Sequence, residues 1–579
     1  MRRLRIPGLI LAALGLSAVF WRRALSTGEQ TGFGDWQFFH HMWEVARVGI
    51  LRDGALPLWN PHHCGGLTYF GNPQSQAFSP LFPLAFAIGT AWASKVFLVV
   101  HTTIALVGAY RLAESRLGVR PLAAAIGATI WSLSGFFAWH GGGGHAAFLP
   151  FAFAPWALCA VGRVRDAPRA AAALAAWMAL CLLEGGVYPT LFVGVLVALD
   201  VVAASARRVP ARALAAMCGG ALLLFLLAAA VRLLPIAVQL GRSPRPVEGL
   251  DTLGALEVLD ALTVRAHAWR VAGHRYVWPE YGAYVGWGAL ALAGAGLLVA
   301  WRRGHLERIA FLLLFVAVVM GDRSDWWPWP LLRRLPVYDS LRVPSRFLVF
   351  VTMEIALLAA LGADGLLGRS AEAAGAWIRR IGFGVVAVGA TVLALDLLHV
   401  NGETADLFRE PPLSGAPGKF HLVGGAQYSR SYASFPAREL GTPACYEGLI
   451  VRPPRGLRVG DVAQARVLPA GAGEVRETGR TRDLVRLDVD LHRPATVVLN
   501  QAFDPDWTTS SGEIETRAGL LAISLPAGRR TVRAAYEPWT VLPATALSLA
   551  GWIAIAWLLV RRGSGARHSR GGGTSLTVP

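Results

Sequence analysis

Asp35 stands first among the residues whose type and setting allow chemistry. It lies shortly after an apolar run, with Gly34 before it and Trp36-Gln37-Phe38-Phe39-His40-His41 after it. A carboxylate there is partly desolvated, which tunes it as a proton acceptor toward a hydroxyl. Glu184, at the outer end of another apolar run and followed by Gly185-Gly186 and Tyr188, is a second candidate acid. Its charge is costly unless it faces a wet cavity. Arg342 and Arg346, two ends of Arg-Val-Pro-Ser-Arg, offer planar forks suited to phosphate. Snorkelling near a helix start explains them equally well.

Other polar residues are suited to holding a ligand. His145 closes the run His140-Gly-Gly-Gly-Gly-His145, which reads either as a plain glycine turn or as a polar contact to substrate. Glu280-Tyr281 can hold hydroxyl groups. Trp36, His40, Asn60, Asn72 and Gln74 belong to one stretch dense in Trp, Asn, Gln, His and Gly, a composition suited to polar recognition. Interface anchoring and simple turns account for the same residues. His40, His41, His62, His63 and Cys64 invite a metal, but no His pair has the i, i+4 spacing of a helical zinc site and no CxxC occurs. No metal ligands are assigned.

The elements that must position these groups are membrane helices. Hydrophobic residues make up 54% of the 579, charged residues 16%, and five cysteines staple nothing of this size. A soluble domain is about 25% charged, so an ordinary soluble enzyme is excluded. A bilayer core of roughly 30 Å needs about 20 apolar residues per helix. Twelve spans are expected near 4–21, 95–113, 121–139, 146–161, 170–184, 187–205, 213–235, 283–301, 309–321, 346–367, 381–399 and 541–560. The run 78–93 holds Pro80 and Pro83 and reads as a helix on the membrane surface.

The net charge of +18 is nearly all arginine and concerns topology, not nucleic acid. Both termini and five alternate loops carry 22 arginines against Glu114, Asp166, Glu307 and Glu372. The positive-inside rule puts those seven segments in the cytoplasm. Arg22–Arg23 and Arg333–Arg334 fall on the other side without explanation. A cleaved signal peptide ending near Ala24-Leu25-Ser26 is a rival reading of the first run.

Chemistry then belongs to the outer face: a first loop 22–94, medium loops 241–282 and 321–345, and a domain at 400–540. Val485, Leu487, Val489 and Leu491 alternate with Arg486, Asp488 and Asp490. That period marks strands, and 470–538 is expected to form a small β-sandwich before the last helix, 541–562. Residues 400–470 receive no structure. The tail 563–579 reads as a disordered cytoplasmic segment. Cys64 and Cys445 both lie outside and can pair; Cys159, Cys181 and Cys218 lie within spans.

An ordered set of short motifs resembles the bacterial YfhO-like membrane proteins. It comprises Asp35 after the first span, Leu58-Trp59-Asn60-Pro61, Gly65-Gly66, Asn72-Pro73-Gln74 and Ser79-Pro80-Leu81. It continues at Arg342 to Phe347, Phe503-Asp504-Pro505-Asp506-Trp507, Leu525-Pro526-Ala527-Gly528 and Val532 to Tyr536. The family usually has Pro-Gly-Trp where this chain has Pro505-Asp506-Trp507. That family is similar to the GT-C glycosyltransferases, and the resemblance implies a GT-C-like transmembrane domain over 1–399. It implies sugar transfer from an undecaprenyl-phosphate donor to an envelope acceptor hydroxyl (a glycan, lipid or protein), with Asp35 as base and a multi-pass location in the inner membrane. Some GT-C enzymes use a divalent ion beside the phosphate, so Mg or Mn is left open. The rival classes are a transporter or flippase of polyprenyl-linked saccharide and a non-catalytic envelope-assembly protein. A transporter would show internal repeats, and none is seen.

Overall fold

The computed structural model describes residues 2–561, apart from 244–250, 267–270, 272, 373–375, 426–430 and 446–452. The tail 563–579, preceded by Arg562, lies outside the described residues. All twelve expected spans fall on helical segments, but among the described residues seven helices meet both the length and the hydropathy needed to cross a membrane. Ile6–Phe20, Ala146–Val161 and Ala167–Leu183 are shorter apolar helices. The chain is therefore read as multi-pass.

The helix Leu348–Glu372 is the central pillar; in the span Pro344–Gly368 the whole apolar window is buried. Its close neighbour Gly286–Arg303 reaches it through glycine, as small residues let membrane helices approach. A Cβ on Gly296 would lie 1.8 Å from the Leu358 carbonyl oxygen. The pillar starts with a single 3-10 turn, Pro344–Phe347, and so carries Arg346 at its upper end.

Two element boundaries differ from the sequence expectation. In the run 78–93 the helix begins at Leu84, and Gly89, with φ 74° and ψ 159°, is a non-helical break that sets 84–88 apart from the long helix running on to Leu112. Pro80 and Pro83 fall in the turns before it, where a missing N–H costs nothing. The expected span 213–235 also breaks, into Ala211–Ala228 and Ala230–Arg242.

The β-rich region has two four-stranded sheets, ordered 513–517, 520–525, 495–502, 465–468 and 473–480, 484–491, 528–536, 507–509. Leu484–Leu491 buries alternate residues, as its period of two requires. Trp59 of the first outer loop enters this core, against Trp507 and Tyr536 with ring centroids 5.4 and 4.8 Å away. Asp483 accepts the backbone N–H of both Leu58 and Trp59 at 2.8 Å. Cys64 forms a disulfide with Cys445, and Arg482 pairs with Asp53 at 2.8 Å. The first outer loop is thus clamped between the helices and the sandwich. Within 400–470, left unassigned from sequence, short elements supply this clamp, among them 421–422, 435–438 and 440–441.

Candidate functional site

A cavity of about 570 Å³ opens where the first outer loop meets the helical domain. Its polar lining comprises Asp35, His145, Glu280, Arg342 and Arg346, with Gln74, Tyr188, Tyr276 and Asp339. Apolar side chains, among them Val187, Leu191, Ile236, Leu240, Val337 and Leu341, make up much of the remaining wall. The break after Ala228 sets the helix Ala230–Arg242 so that Ile236 and Leu240 reach this wall.

Asp35 directly precedes the helix Trp36–Val48, and the glycine run packs against its backbone. The run is packed rather than free. Trp36 Nε1 donates to the Gly141 carbonyl at 2.7 Å. A Cβ on Gly142 would stand 2.4 Å from the Thr404 carbonyl oxygen. Gly144 has φ +94°, and a Cβ there would lie 2.1 Å from the Trp36 nitrogen and 2.7 Å from the Asp35 carbonyl carbon. Only glycine lets this backbone nest against Asp35. The consequence is that His145 emerges beside the carboxylate, Nε2 standing 3.3 Å from Asp35 Oδ2. Both side chains stay partly open to the cavity, at 19% and 15% exposure.

The imidazole is tied on its other side, with His145 Nδ1 2.6 Å from His140 Nδ1, so one of the two nitrogens carries the proton between them. Glu280 closes the group. Its carboxylate takes Arg346 in a fork, Nε to Oε2 at 2.8 Å and Nη2 to Oε1 at 2.5 Å. The Arg346 guanidinium lies 4.8 Å from the Phe148 ring centroid and 4.4 Å from that of Tyr188. Burial alone would lower the pKa of His145, but the carboxylates of Glu280 and Asp35 raise it above the ordinary value of 6.5. Burial would raise Glu280, yet the Arg346 charge and its hydrogen bonds hold it well below the usual carboxylate range.

Seven residues named from the sequence therefore line one cavity: Asp35, Gln74, His145, Tyr188, Glu280, Arg342 and Arg346. The Oε1 of Gln74 has no hydrogen-bond partner among the described residues. Six others do not line it. Glu184 is buried beside it, with His101 Nε2 at 2.5 Å and Ser79 Oγ at 3.2 Å from its carboxylate. Trp36 stacks on His40, whose Nε2 meets Ser94 Oγ at 3.0 Å. Asn60 and Asn72 use their side-chain oxygens to accept the N–H of His62 and Gln74, both at 3.0 Å, which shapes the loop. Tyr281 donates to Asp251. Tyr276, Asp339 and Ser340 line the cavity without having been singled out; no motif marks them, because they arrive from two loops distant in sequence.

The loop histidines do not gather into a metal site. Burial drives His41 and His63 down to about 3, and burial with the nearby Lys95 charge does the same to His40. They are neutral spacers: His63 Nδ1 meets the Tyr432 hydroxyl at 2.5 Å, and His41 stacks on the same ring at 4.3 Å. Elsewhere, His140, His145 and Glu280 bring one potential ligand atom each within 4.8 Å of one another. Two imidazoles and one carboxylate are a poor match to Mg or Mn, which take oxygen ligands. Glu280 is also engaged twice by Arg346. The site does not fit the Mg or Mn that the sequence resemblance left open.

Neither a protein-family model, of the YfhO-like proteins or any other, nor a curated protein sequence matches the chain. Among solved structures it is similar to the arabinofuranosyltransferase AftD from Mycobacteria, with TM-score 0.47 and 17% identity over 71% of this chain. The match covers 27% of the AftD chain, so this chain spans about a quarter of that protein. It is also similar to ArnT from Cupriavidus metallidurans bound to undecaprenyl phosphate, with TM-score 0.37 and 14% identity over 75% of this chain and 86% of that one.

Proposed function

We propose that the cavity transfers a sugar from a polyprenyl-phosphate donor to a hydroxyl acceptor. The observation that carries this reading is that one cavity is lined by two chemistries. The apolar side chains of its lining, such as Leu191, Ile236 and Leu240, suit the first units of a polyprenyl tail, and the polar ones suit a phosphate and a sugar. Arg342 steadies the departing phosphate; Arg346, held by Glu280 and two aromatic faces, shapes the pocket beside it. The acceptor oxygen attacks the anomeric carbon, the bond from that carbon to the phosphate oxygen breaks, and polyprenyl phosphate leaves. Asp35 takes the acceptor's proton. His145, 3.3 Å away, orients that carboxylate and offers the proton a route onward toward His140. Gln74, Tyr188 and Tyr276 are placed to meet sugar hydroxyls.

The same reading puts the cavity on the extracytoplasmic face of a bacterial inner membrane, both termini in the cytoplasm, with the acceptor in the envelope. The arginine-rich loops support that orientation, and so does the Cys64–Cys445 disulfide on the cavity side, since disulfides persist in oxidising compartments. The test is transfer by purified, reconstituted protein from undecaprenyl-phosphate-linked sugars, with mass spectrometry of envelope glycans from cells carrying wild type or Asp35→Asn. Loss of one glycan modification in Asp35→Asn, at unchanged protein level in the membrane, is expected. Full transfer by that variant would remove Asp35 as the base. Undiminished envelope glycans in cells lacking the protein would remove the activity altogether.

A further inference from the structure

A second opening lies at the far end of the helical domain. In the long helix that runs on to Leu112, Lys95 lies beside the first loop, its Nζ donating to Thr27 Oγ1 at 2.7 Å. About 25 Å further along, at ~1.5 Å per residue, Arg111 and then Arg116 reach a groove of about 400 Å³ between three helices. Ile6, Leu9 and Ile10 of the first helix, with Val107 and Trp156, make its walls apolar. Ile6 and Ile10 are 47% and 44% exposed, so this wall continues onto the lipid-facing surface. Trp156 is fixed by donating to the Ile104 carbonyl at 3.0 Å.

The rim is basic. Arg111, Arg116 and Arg163 line it, and no carboxylate does. Arg116 is committed inward, its guanidinium on both oxygens of Asp200 at 3.1 Å, and Gly162 leaves room for it to cross. Arg111 keeps a half-exposed head with Glu114 at 2.8 Å. Arg163 is exposed and makes no ion pair among the described residues. An apolar slot with an arginine rim at a membrane boundary matches one class of molecule. Its chains are hydrocarbon and its headgroup is a phosphodiester, the chemistry that basic pockets between membrane helices recognise.

We propose that this groove holds an anionic phospholipid of the arginine-rich leaflet, its phosphate on Arg163 and Arg111 and an acyl chain along Ile6, Leu9 and Ile10. The proposal is independent of sugar transfer, since none of these residues lines the outer cavity. It is tested by native mass spectrometry and thermal unfolding of the purified full chain titrated with phosphatidylglycerol, phosphatidylcholine or inorganic phosphate. Wild type should retain phosphatidylglycerol about 10-fold better than phosphatidylcholine, and only phosphatidylglycerol should raise its unfolding temperature. Arg111→Gln with Arg163→Gln should erase the preference, and Arg163→Gln alone, at an exposed site that the fold does not use, should reduce it. Equal retention of the two lipids by wild type, or an undiminished preference in the double variant, overturns the proposal. Stabilisation by inorganic phosphate equal to that by phosphatidylglycerol overturns it too, by assigning the arginines to a free anion.

Discussion

Two of the buried clusters of opposite charges among the described residues have different fates. Near the first outer loop, Glu280 and Arg346 form a fork beside His145 and Asp35. At the other end, Arg308 pairs with Glu354 at 3.0 Å and Asp200 at 3.4 Å, and Asp200 also takes Arg116. Both groups are deeply buried: Glu280 is 7% exposed and Glu354 is 0%. The first opens on about 570 Å³ of space and the second on about 10 Å³, too little for more than about one water. In the far cluster every charge has found a partner on a neighbouring helix, so it ties helices together. Beside the outer loop the same kind of pairing leaves Asp35 and His145 facing a volume that a ligand can fill. Buried charge alone does not define a site; unfilled room beside charges held in fixed positions does.

Asp35→Asn offers the sharpest break between the two. Loss of a general base should cut transfer by about 10²–10⁴, measured as polyprenyl phosphate released from a lipid-linked sugar, with the folded yield unchanged. An unaltered rate would make the outer charges as structural as the inner ones. Arg308→Met should do the opposite. It leaves Glu354 and Asp200 without a partner that bridges them, at a cost of about 3–5 kcal/mol. Unfolding in detergent reads that loss, while transfer per folded molecule should persist.

Gly144→Ala joins stability to activity. Its φ of +94° and the 2.1 Å approach to the Trp36 nitrogen predict strain of about 1–3 kcal/mol. The shift should also separate Asp35 from His145, lowering kcat more than it raises KM. The smallest effect concerns pH. Because the folded pKa of His145 is raised, its charge contributes stability that is fully present below about 6.5, the unfolded value, and is lost as pH rises through the folded value. His145→Gln should flatten that alkaline decline in unfolding temperature. A decline of unchanged slope would show that the imidazole does not gain from Glu280 and Asp35.

Much of the helical plan is legible in the chain, because twenty apolar residues in a row announce themselves and strand alternation marks 484–491 without ambiguity. The helix boundaries follow less well: Gly89 and Ala229 break or join runs whose hydropathy is continuous. Among the residues that line the cavity, Asp35, His145, Glu280 and Arg346 are visible because charge beside an apolar run is conspicuous. Glu184 is equally conspicuous, yet it is turned to His101 and Ser79, a choice made by the packing of Gly185 and Gly186. Trp36, His40, Asn60 and Asn72 share the composition of a binding loop, but their side chains are used to build that loop. Tyr276 and Asp339 carry no local signal at all.

The sequence by itself determined where hydrocarbon and charge can lie, since the cost of burying each is a property of residue type and run length. It also determined the glycines between His140 and His145. Only the tertiary structure decided what those glycines are for. A backbone without Cβ atoms can approach Asp35 closely enough to bring His145 to its carboxylate, and that distance depends on three segments meeting in space. The same holds for Trp59 and Cys64, which read as loop residues and prove to clamp the first outer loop to the β-sandwich and the segment before it. Energies that depend on residue type are written along the chain; those that depend on which groups meet exist only once it has folded.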